Sequence, residues 1–368
     1  MLRQYKLKDY DFKLILCVIA LSVIGVLAIG SAKNELLSRQ ILGMGAGIFI
    51  MLLLSFIDYS FFLYFYWFLY FANIILLLVV TLFGININGA QRWVNILGIQ
   101  FQPSESAKIL LILFFAQFIM KYREELNTIK FLVFSALLLS VPLILVYKQP
   151  NLSTSIVIVV VFCSLLFVGG LSYKIVLGVL AVIVPIVTII FVIVLQPDQQ
   201  LIEPYQAKRI LSWLQPDKYA DTIAYQQLNS ITAIGSGQLW GKGLNNNVIA
   251  SVKNGNFISE PQNDFIYAII GEELGFVGAV SCIILVLFIV LECINVARQA
   301  KDLAGSIIAS GMASLIGFQS FVNMAVATGI APTTGIPFPF VSYGLTSLMS
   351  LYAGIGIVLN IRLQSKKY

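Results

Sequence analysis

The feature that most constrains this chain is a set of long apolar runs almost free of charge, at about 14–32, 40–57, 61–83, 105–121, 130–147, 153–170, 173–195, 265–294, 303–327 and 341–361. An uncharged apolar run of about 17–25 residues crosses a hydrocarbon core as a helix, because a helix satisfies every backbone N–H and C=O inside the segment. A soluble core does not accommodate ten such runs in 368 residues, and the chain is 59% hydrophobic and 11% charged, against about 25% charged for an ordinary soluble domain. The expectation is an all-α polytopic membrane protein with ten transmembrane helices in one integral membrane domain over residues 1–368. The first run is longer than the apolar region of a leader, and Gly30-Ser31-Ala32 is a poor cleavage triplet, so it is read as a span.

Charge then orients the bundle. With an N-terminus inside, the inner segments carry Arg3, Lys6, Lys8, Lys13, Lys121, Arg123, Lys130, Lys174, Arg298, Lys301, Arg362, Lys366 and Lys367, while the short outer connections carry only Lys33, Arg39, Arg92 and Lys148. Cytoplasmic loops hold the excess of Lys and Arg, so both termini are placed in the cytoplasm. The net charge of +6 suits anionic lipid heads and gives no reason to invoke nucleic acid. Cys17, Cys163, Cys282 and Cys293 sit singly in apolar runs and read as small core residues. The chain has no histidine. Proton transfer near neutral pH therefore falls to a carboxylate, and no zinc-binding pattern is present.

Three connections, all outer under this topology, exceed what helix pairs need. They are 84–104, 196–264 and the Pro- and Gly-rich 328–340, whereas bundle connections usually run about 2–8 residues and long ordered ones tend to be functional. The site is expected there. In "QRWVNILGIQFQPSESAK", Pro103 is placed to start a helix, with Glu105 and Lys108 following on one face. A helix-terminus ion pair would explain them, but an ionisable residue a turn inside a span usually faces a polar cavity and marks a substrate path. Arg92 in the preceding connection adds a fixed positive charge, and Arg with Lys suits a phosphate or diphosphate.

"NFISEPQNDFIYAIIGEELGFVGA" crowds Glu260, Asp264, Glu272 and Glu273 into the approach to the eighth span. On a continuous helix Glu272 and Glu273 lie roughly 12–13 Å deeper than Asp264 and are rotated from it by about 80° and 180°. Asp264 is then the accessible carboxylate, while the deeper pair reads as buried or charge-pairing. Asp264 would equally serve as a helix N-cap. "LNSITAIGSGQLWGKG" is Gly-rich but lacks the order of a phosphate loop, so it is read as an irregular loop lining the site. "YKQPNLSTS" puts Lys148, Asn151 and Ser153 at two helix ends, where polar termini facing water explain them.

Together, "GAQRWVNILGIQFQPSESAK", "KQPNLSTS", "YQQLNSITAIGSGQLWGKGL", "NDFIYAIIGEELGF" and "TGIPFPFVSYGLTSL" resemble, in order and across essentially the whole chain, the motifs of the SEDS family (shape, elongation, division and sporulation; the RodA, FtsW and SpoVE group). The short tails are nearer RodA or SpoVE than the longer-tailed division members. The resemblance implies a peptidoglycan glycosyltransferase in the bacterial cytoplasmic membrane. Such an enzyme polymerises undecaprenyl-diphosphate-linked disaccharide-pentapeptide (lipid II) and is usually paired with a class B penicillin-binding protein and other elongation or division proteins. It also implies one large outer loop between the seventh and eighth spans, a catalytic carboxylate at Asp264, cavity residues at Glu105 and Lys108, and a loop arginine at Arg92. Two positions depart from the family's pattern. Asn151-Leu152-Ser153 stands where Asp-Leu-Gly is frequent, and Gln91 stands where Arg is frequent.

A β-1,4 bond made from an α-linked donor inverts the sugar centre, which calls for a base on the acceptor hydroxyl and positive charge at the leaving group. The resulting expectation is Asp264 as base, with Arg92 and Lys108 on the diphosphate and Glu105 orienting Lys108. A divalent cation, magnesium by its preference for hard oxygen ligands, would share the diphosphate load, although the sequence shows no site for it. Two rival readings remain. One is a lipid II transporter, which would favour inverted repeats and broken helices near the midplane; the other is a non-catalytic scaffold for the partner synthase.

Overall fold

The computed structural model describes residues 10–365 apart from 88–89, 97–98, 195, 197–203, 246–250, 252–254 and 256. Ten of its helices are long and apolar enough to cross a membrane. In chain order the first helices are α1 (Phe12–Ala32), α2 (Leu37–Phe56), the short α3 (Tyr59–Tyr64) and α4 (Tyr66–Phe83). Next come α5 (Pro103–Lys121), α6 (Ile129–Lys148), α7 (Leu152–Gly169) and α8 (Tyr173–Val194). After α9 (Pro204–Leu214) and α10 (Tyr225–Ser236) the chain closes with α11 (Ile266–Gln299), α12 (Leu303–Ala327) and α13 (Leu345–Leu363). Pro103 opens α5 as expected from its fixed φ and missing N–H.

Burial sorts these helices. The core is built from α5, α7, α12 and α13, whose spanning windows are more than half buried, whereas no residue between 173 and 193 on α8 is buried. Leu177, Val182, Ile183, Val187 and Ile190 of α8 therefore face outward, which only lipid tolerates over such a length. Its far end is fastened by the edge-on contact of Phe191 with Trp213 of α9, 6.3 Å between centroids. Between α4 and α5 an aromatic stack centred on Phe114 joins Tyr70 at 4.5 Å and Trp67 at 5.3 Å. At the end opposite the candidate site, Tyr59 donates its hydroxyl to Asp302 Oδ2 (2.7 Å) and its backbone N–H to Asn360 Oδ1 (3.0 Å), tying α3 to α12 and α13.

Four features differ from the sequence expectation. The 84–104 connection holds a three-stranded antiparallel sheet, β1 (Ile85–Ile87), β2 (Ala90–Ile96) and β3 (Ile99–Phe101). The third span starts at Tyr66, after a break at Phe65. The last span starts at Leu345, because Phe340 takes a left-handed φ of 65° and Val341–Gly344 stay in the connection. Finally, the first part of the 228–243 stretch expected as an irregular loop is helical, as the end of α10.

The span expected to run unbroken from 265 is also interrupted: Gly275 has φ 66° and ψ −162° inside α11. The stretch after α10 fills this break with backbone hydrogen bonds. Phe276 N–H donates to Gln238 O (2.8 Å) and Val277 N–H to Leu239 O (3.2 Å), while Lys242 and Gly243 N–H donate to the Glu272 and Glu273 carbonyls at 2.9 and 3.0 Å. Backbone this close to backbone leaves no room for side chains. A Cβ on Gly237 would lie 1.9 Å from Gly271 O, and one on Gly275 would lie 2.3 Å from Gly241 N. Gly237 and Gly241 of "GSGQLWGKG" thus serve contact with the broken helix.

Candidate active site at one end of the bundle

Asp264 lies on a tight turn just before α11, opened by the Asn263 N–H bond to Glu260 O (3.1 Å). Phe265, not Asp264, is the N-cap residue, and the Asp264 side chain caps nothing. Three consecutive carbonyls leading into the helix are each held by a different donor. Tyr343 N–H bonds Gln262 O (2.9 Å), Ser342 Oγ bonds Asn263 O (2.6 Å) and Asn323 Nδ2 bonds Asp264 O (2.9 Å). Ser342 Oγ also accepts from Phe338 N–H at 2.8 Å. The main chain under Asp264 is therefore fixed from α12 and from the 336–343 connection, while its half-buried carboxyl stays reachable. Gly335, exposed and with φ 76°, passes beside that carboxyl: a Cβ there would sit 3.4 Å from Asp264 Oδ2.

Two guanidiniums and one acid set the charge around it. Burial pushes the Asp264 pKa above the ordinary carboxylate value, Arg209 and then Arg92 pull it back, and Glu260 adds a smaller upward push. Arg92, on β2, donates Nε to Gln149 O (3.0 Å) and Nη2 to Pro150 O. Arg209, on α9, donates Nη1 to the carbonyls of Thr333 (3.2 Å) and Thr334 (3.4 Å). Ser153 Oγ donates to Thr334 O, so the start of α7 joins the same knot. Asn151 and Ser153 are buried, contrary to the expectation of water-facing termini; Asn151 Oδ1 caps α7 by accepting from Thr154 N–H (3.3 Å).

The predicted residues thus divide. Arg92 and Glu260 lie within electrostatic reach of Asp264. Glu260 is exposed and accepts from Gln262 Nε2 (2.5 Å) and Asn263 Nδ2 (3.1 Å), bracing the turn. Lys148 is exposed at the end of α6, next to the carbonyls that hold Arg92. Lys108 bonds Glu105 Oε1 at 2.8 Å with both side chains buried, the pairing in which Glu105 was expected to orient it. Lys108 faces a narrow crevice between α5, α6 and α7, lined otherwise by apolar side chains such as Leu111, Phe115, Leu139 and Phe162. Five residues into α5, Lys108 is carried about 7.5 Å below the helix start.

The deeper acids have protein partners. Glu272 bonds Lys242 Nζ at 2.8 Å, and Glu273 Oε1 accepts from Ser31 Oγ at 2.6 Å. Ser31 Oγ also accepts from Asn245 N–H (2.9 Å), which ties the end of α1 to the stretch after α10. Glu272 and Glu273 are both buried, as expected of the deeper acids, while Asp264 stays more accessible in the turn two residues before α11.

Sequence reasoning missed Arg209, Asn323, Ser342 and Gly335. Arg209 had a usable signal, since Ala207, Ile210, Leu211 and Leu214 repeat at helical spacing and leave Lys208 and Arg209 on another face. Asn323 looked like one polar residue in an apolar span, and nothing local marks its two carbonyl partners.

Comparison with known proteins fits this arrangement. Residues 10–367 match the family described as "Cell cycle protein", that of FtsW, RodA and SpoVE. The chain is 34% identical over 362 residues to the peptidoglycan glycosyltransferase MrdB of Escherichia coli K12, covering 97% of this chain and 94% of that protein. It is 32% identical to the probable peptidoglycan glycosyltransferase FtsW of Trichlorobacter lovleyi, covering 98% and 94% of the two. Among solved structures it superposes with TM-score 0.79 and 28% identity on a chain described in work on polymerization and crosslinking by a peptidoglycan synthase complex, covering 96% of this chain and 97% of that one. The rod shape determining protein RodA of Thermus thermophilus gives TM-score 0.71 at 27% identity over 98% of each chain. The chain is a multi-pass membrane protein, and it belongs to the FtsW/RodA/SpoVE family, the SEDS family its motifs resemble.

Proposed function

We propose that this chain is a peptidoglycan glycosyltransferase that polymerises lipid II into β-1,4 glycan strands on the outer face of the bacterial cytoplasmic membrane, with both termini in the cytoplasm. The observation that carries the reading is Asp264, a carboxylate with raised pKa on a backbone fixed by three bonds, set within reach of Arg92 and Arg209. In this reading Asp264 takes the proton from the acceptor 4-hydroxyl as that oxygen attacks the donor's anomeric carbon. Arg92 and Arg209 hold the diphosphate and stabilise the charge it gains on leaving. Glu105 and Lys108 form a buried ion pair below the mouth, against apolar side chains of α5, α6 and α7 that suit contact with the first part of a polyprenyl chain. The outward-facing α8 lets such a chain approach from lipid.

Among the described residues no cluster of three or more acidic, His or Cys side chains could hold a metal alone. Magnesium would therefore be held by Glu260 together with the donor's diphosphate oxygens, and would supply further charge neutralisation there. The partner is a class B penicillin-binding protein, a reading supported by the similar chain from a peptidoglycan synthase complex.

The broken α11 is a feature a transporter would share. Its break, however, is filled by the chain's own backbone, and the site residues gather at one end of the bundle. The test supplies lipid II and the partner to wild type and to Asp264→Asn, and reads glycan strands on a gel. Polymer from wild type only, with equal folding and partner binding, supports the reading. Polymer from both removes Asp264 as the base. Polymer from neither, with lipid II translocated across vesicles, supports the transporter.

A further inference from the structure

Asn323 sits near the end of α12 with a side chain only 1% exposed. Its amide uses both Nδ2 hydrogens outside its own helix, donating to Asp264 O at 2.9 Å and to Ile336 O at 2.8 Å. Oδ1 is buried without a hydrogen-bond partner among the described residues. The amide orientation is nevertheless fixed, because turning it over would press its oxygen against two carbonyls. A polar residue that merely fills a helix face bonds its own helix, as Thr328 Oγ1 does to Met324 O (2.8 Å). Asn323 instead leaves a buried acceptor unsatisfied in order to join two other segments, which an apolar residue would not require.

Those two segments bracket the Asp264 carboxyl: one is its own main chain, and the other follows directly on Gly335, which passes beside Oδ2. We propose that Asn323 is the positioning residue for Asp264, a single buried amide that sets the spacing between the carboxylate and the 335–336 main chain. The inference rests on Asp264 being the base. The neighbouring bonds separate this role from general structure. Tyr343 and Ser342 hold the carbonyls of Gln262 and Asn263, so loss of Asn323 releases Asp264 while the turn stays attached. No other uncharged side chain of this size offers two donors. Around the carboxyl, Arg209 comes from α9, Arg92 from β2 and Glu260 from the same turn.

The test uses the full chain with its penicillin-binding partner and lipid II, and compares wild type, Asn323→Leu, Asn323→Gln, Asp264→Asn and the Asn323→Leu/Asp264→Asn double variant. Asn323→Leu is expected to lower kcat about 10- to 100-fold, since small misplacements of a reacting group cost that much, with KM within about 2-fold of wild type. Its acid limb should move to lower pH, because a loosened carboxyl gains water. Asn323→Gln, with both donors, should recover part of the rate, and the double variant should be no slower than Asp264→Asn. If Asn323→Leu fails to fold, Asn323→Ser, smaller and with one donor, carries the same comparison. An unchanged kcat and acid limb beside an inactive Asp264→Asn would overturn the inference alone. A fully active Asp264→Asn would overturn the inference together with the reading beneath it.

Discussion

Gly235 and Gly237 are two residues apart and should respond to alanine in opposite ways. Gly235 lies in α10 with nothing within 4 Å of a built Cβ, so Gly235→Ala should stabilise by about 0.5–1 kcal/mol through the lower entropy of the unfolded backbone. At Gly237 the same methyl would sit 1.9 Å from Gly271 O, where ordinary contact begins at 3.4 Å, so the backbone must retreat by about 1.5 Å. That retreat stretches the four hydrogen bonds across the α11 break, now 2.8–3.2 Å, beyond bonding distance. At about 0.5–1.5 kcal/mol net for each bond, the loss is about 2–6 kcal/mol. The assay is the apparent melting temperature of purified protein in one detergent, read by loss of the monodisperse peak. Gly237→Ala should melt roughly 4 °C or more below wild type, and Gly235→Ala at or above it. A Gly237→Ala protein melting with wild type would refute the claim that Gly237 serves contact with the broken helix.

Removing one partner of a buried pair strands the other. Lys242→Met leaves Glu272 buried without its ammonium and should cost about 1–3 kcal/mol, tempered by the partial exposure of Lys242; Glu272→Gln should cost less, and melting curves of the two variants decide. Arg209→Ala should lower kcat/KM about 10- to 100-fold, the worth of a charge-assisted bond, and Arg209→Lys should keep part of it; wild-type rates for Arg209→Ala would remove it from the site. The raised pKa of Asp264 also predicts a pH dependence. Between its ordinary and its raised value the folded state holds the extra proton, so stability falls as pH rises across that window. Asp264→Asn should therefore melt above wild type at neutral pH and approach it below the ordinary carboxylate range, while the wild-type rate should fall on acidification through the raised value.

The spans were legible because one principle decides them: in hydrocarbon an apolar run must satisfy its own backbone, so length and absence of charge suffice. The sheet was within reach as well. "ININGAQRWVNILGIQF" carries Asn-Gly between short alternating runs, a hairpin signal that its setting between two spans obscured. Asp264, Glu105 and Arg92 stood out because charge is rare here. Arg209 and Asn323 did not, since their roles depend on carbonyls far away in sequence. The break at Gly275 was hidden for the same reason. A glycine inside an apolar helix is common, and only the glycines near 237–243 meeting it in space show that two backbones touch.

The arrangement of charges explains why Asp264 suits a base better than its neighbours. Glu105 and Glu272 each bond an ammonium at 2.8 Å, and Glu273 a hydroxyl at 2.6 Å, so these acids are committed to the protein. Arg92 and Arg209 are held by main-chain carbonyls of residues 149, 150, 333 and 334. A carbonyl orients a guanidinium, and from these positions both arginines oppose the upward push of burial on Asp264. Burial still outweighs their field, and the pKa of Asp264 stays raised. On the proposed reading a diphosphate seated on the same arginines offsets their charge, and the opposition of burial to the carboxylate is then less compensated. Asp264 becomes the stronger base once the donor is in place, which matches the moment at which the acceptor hydroxyl must lose its proton.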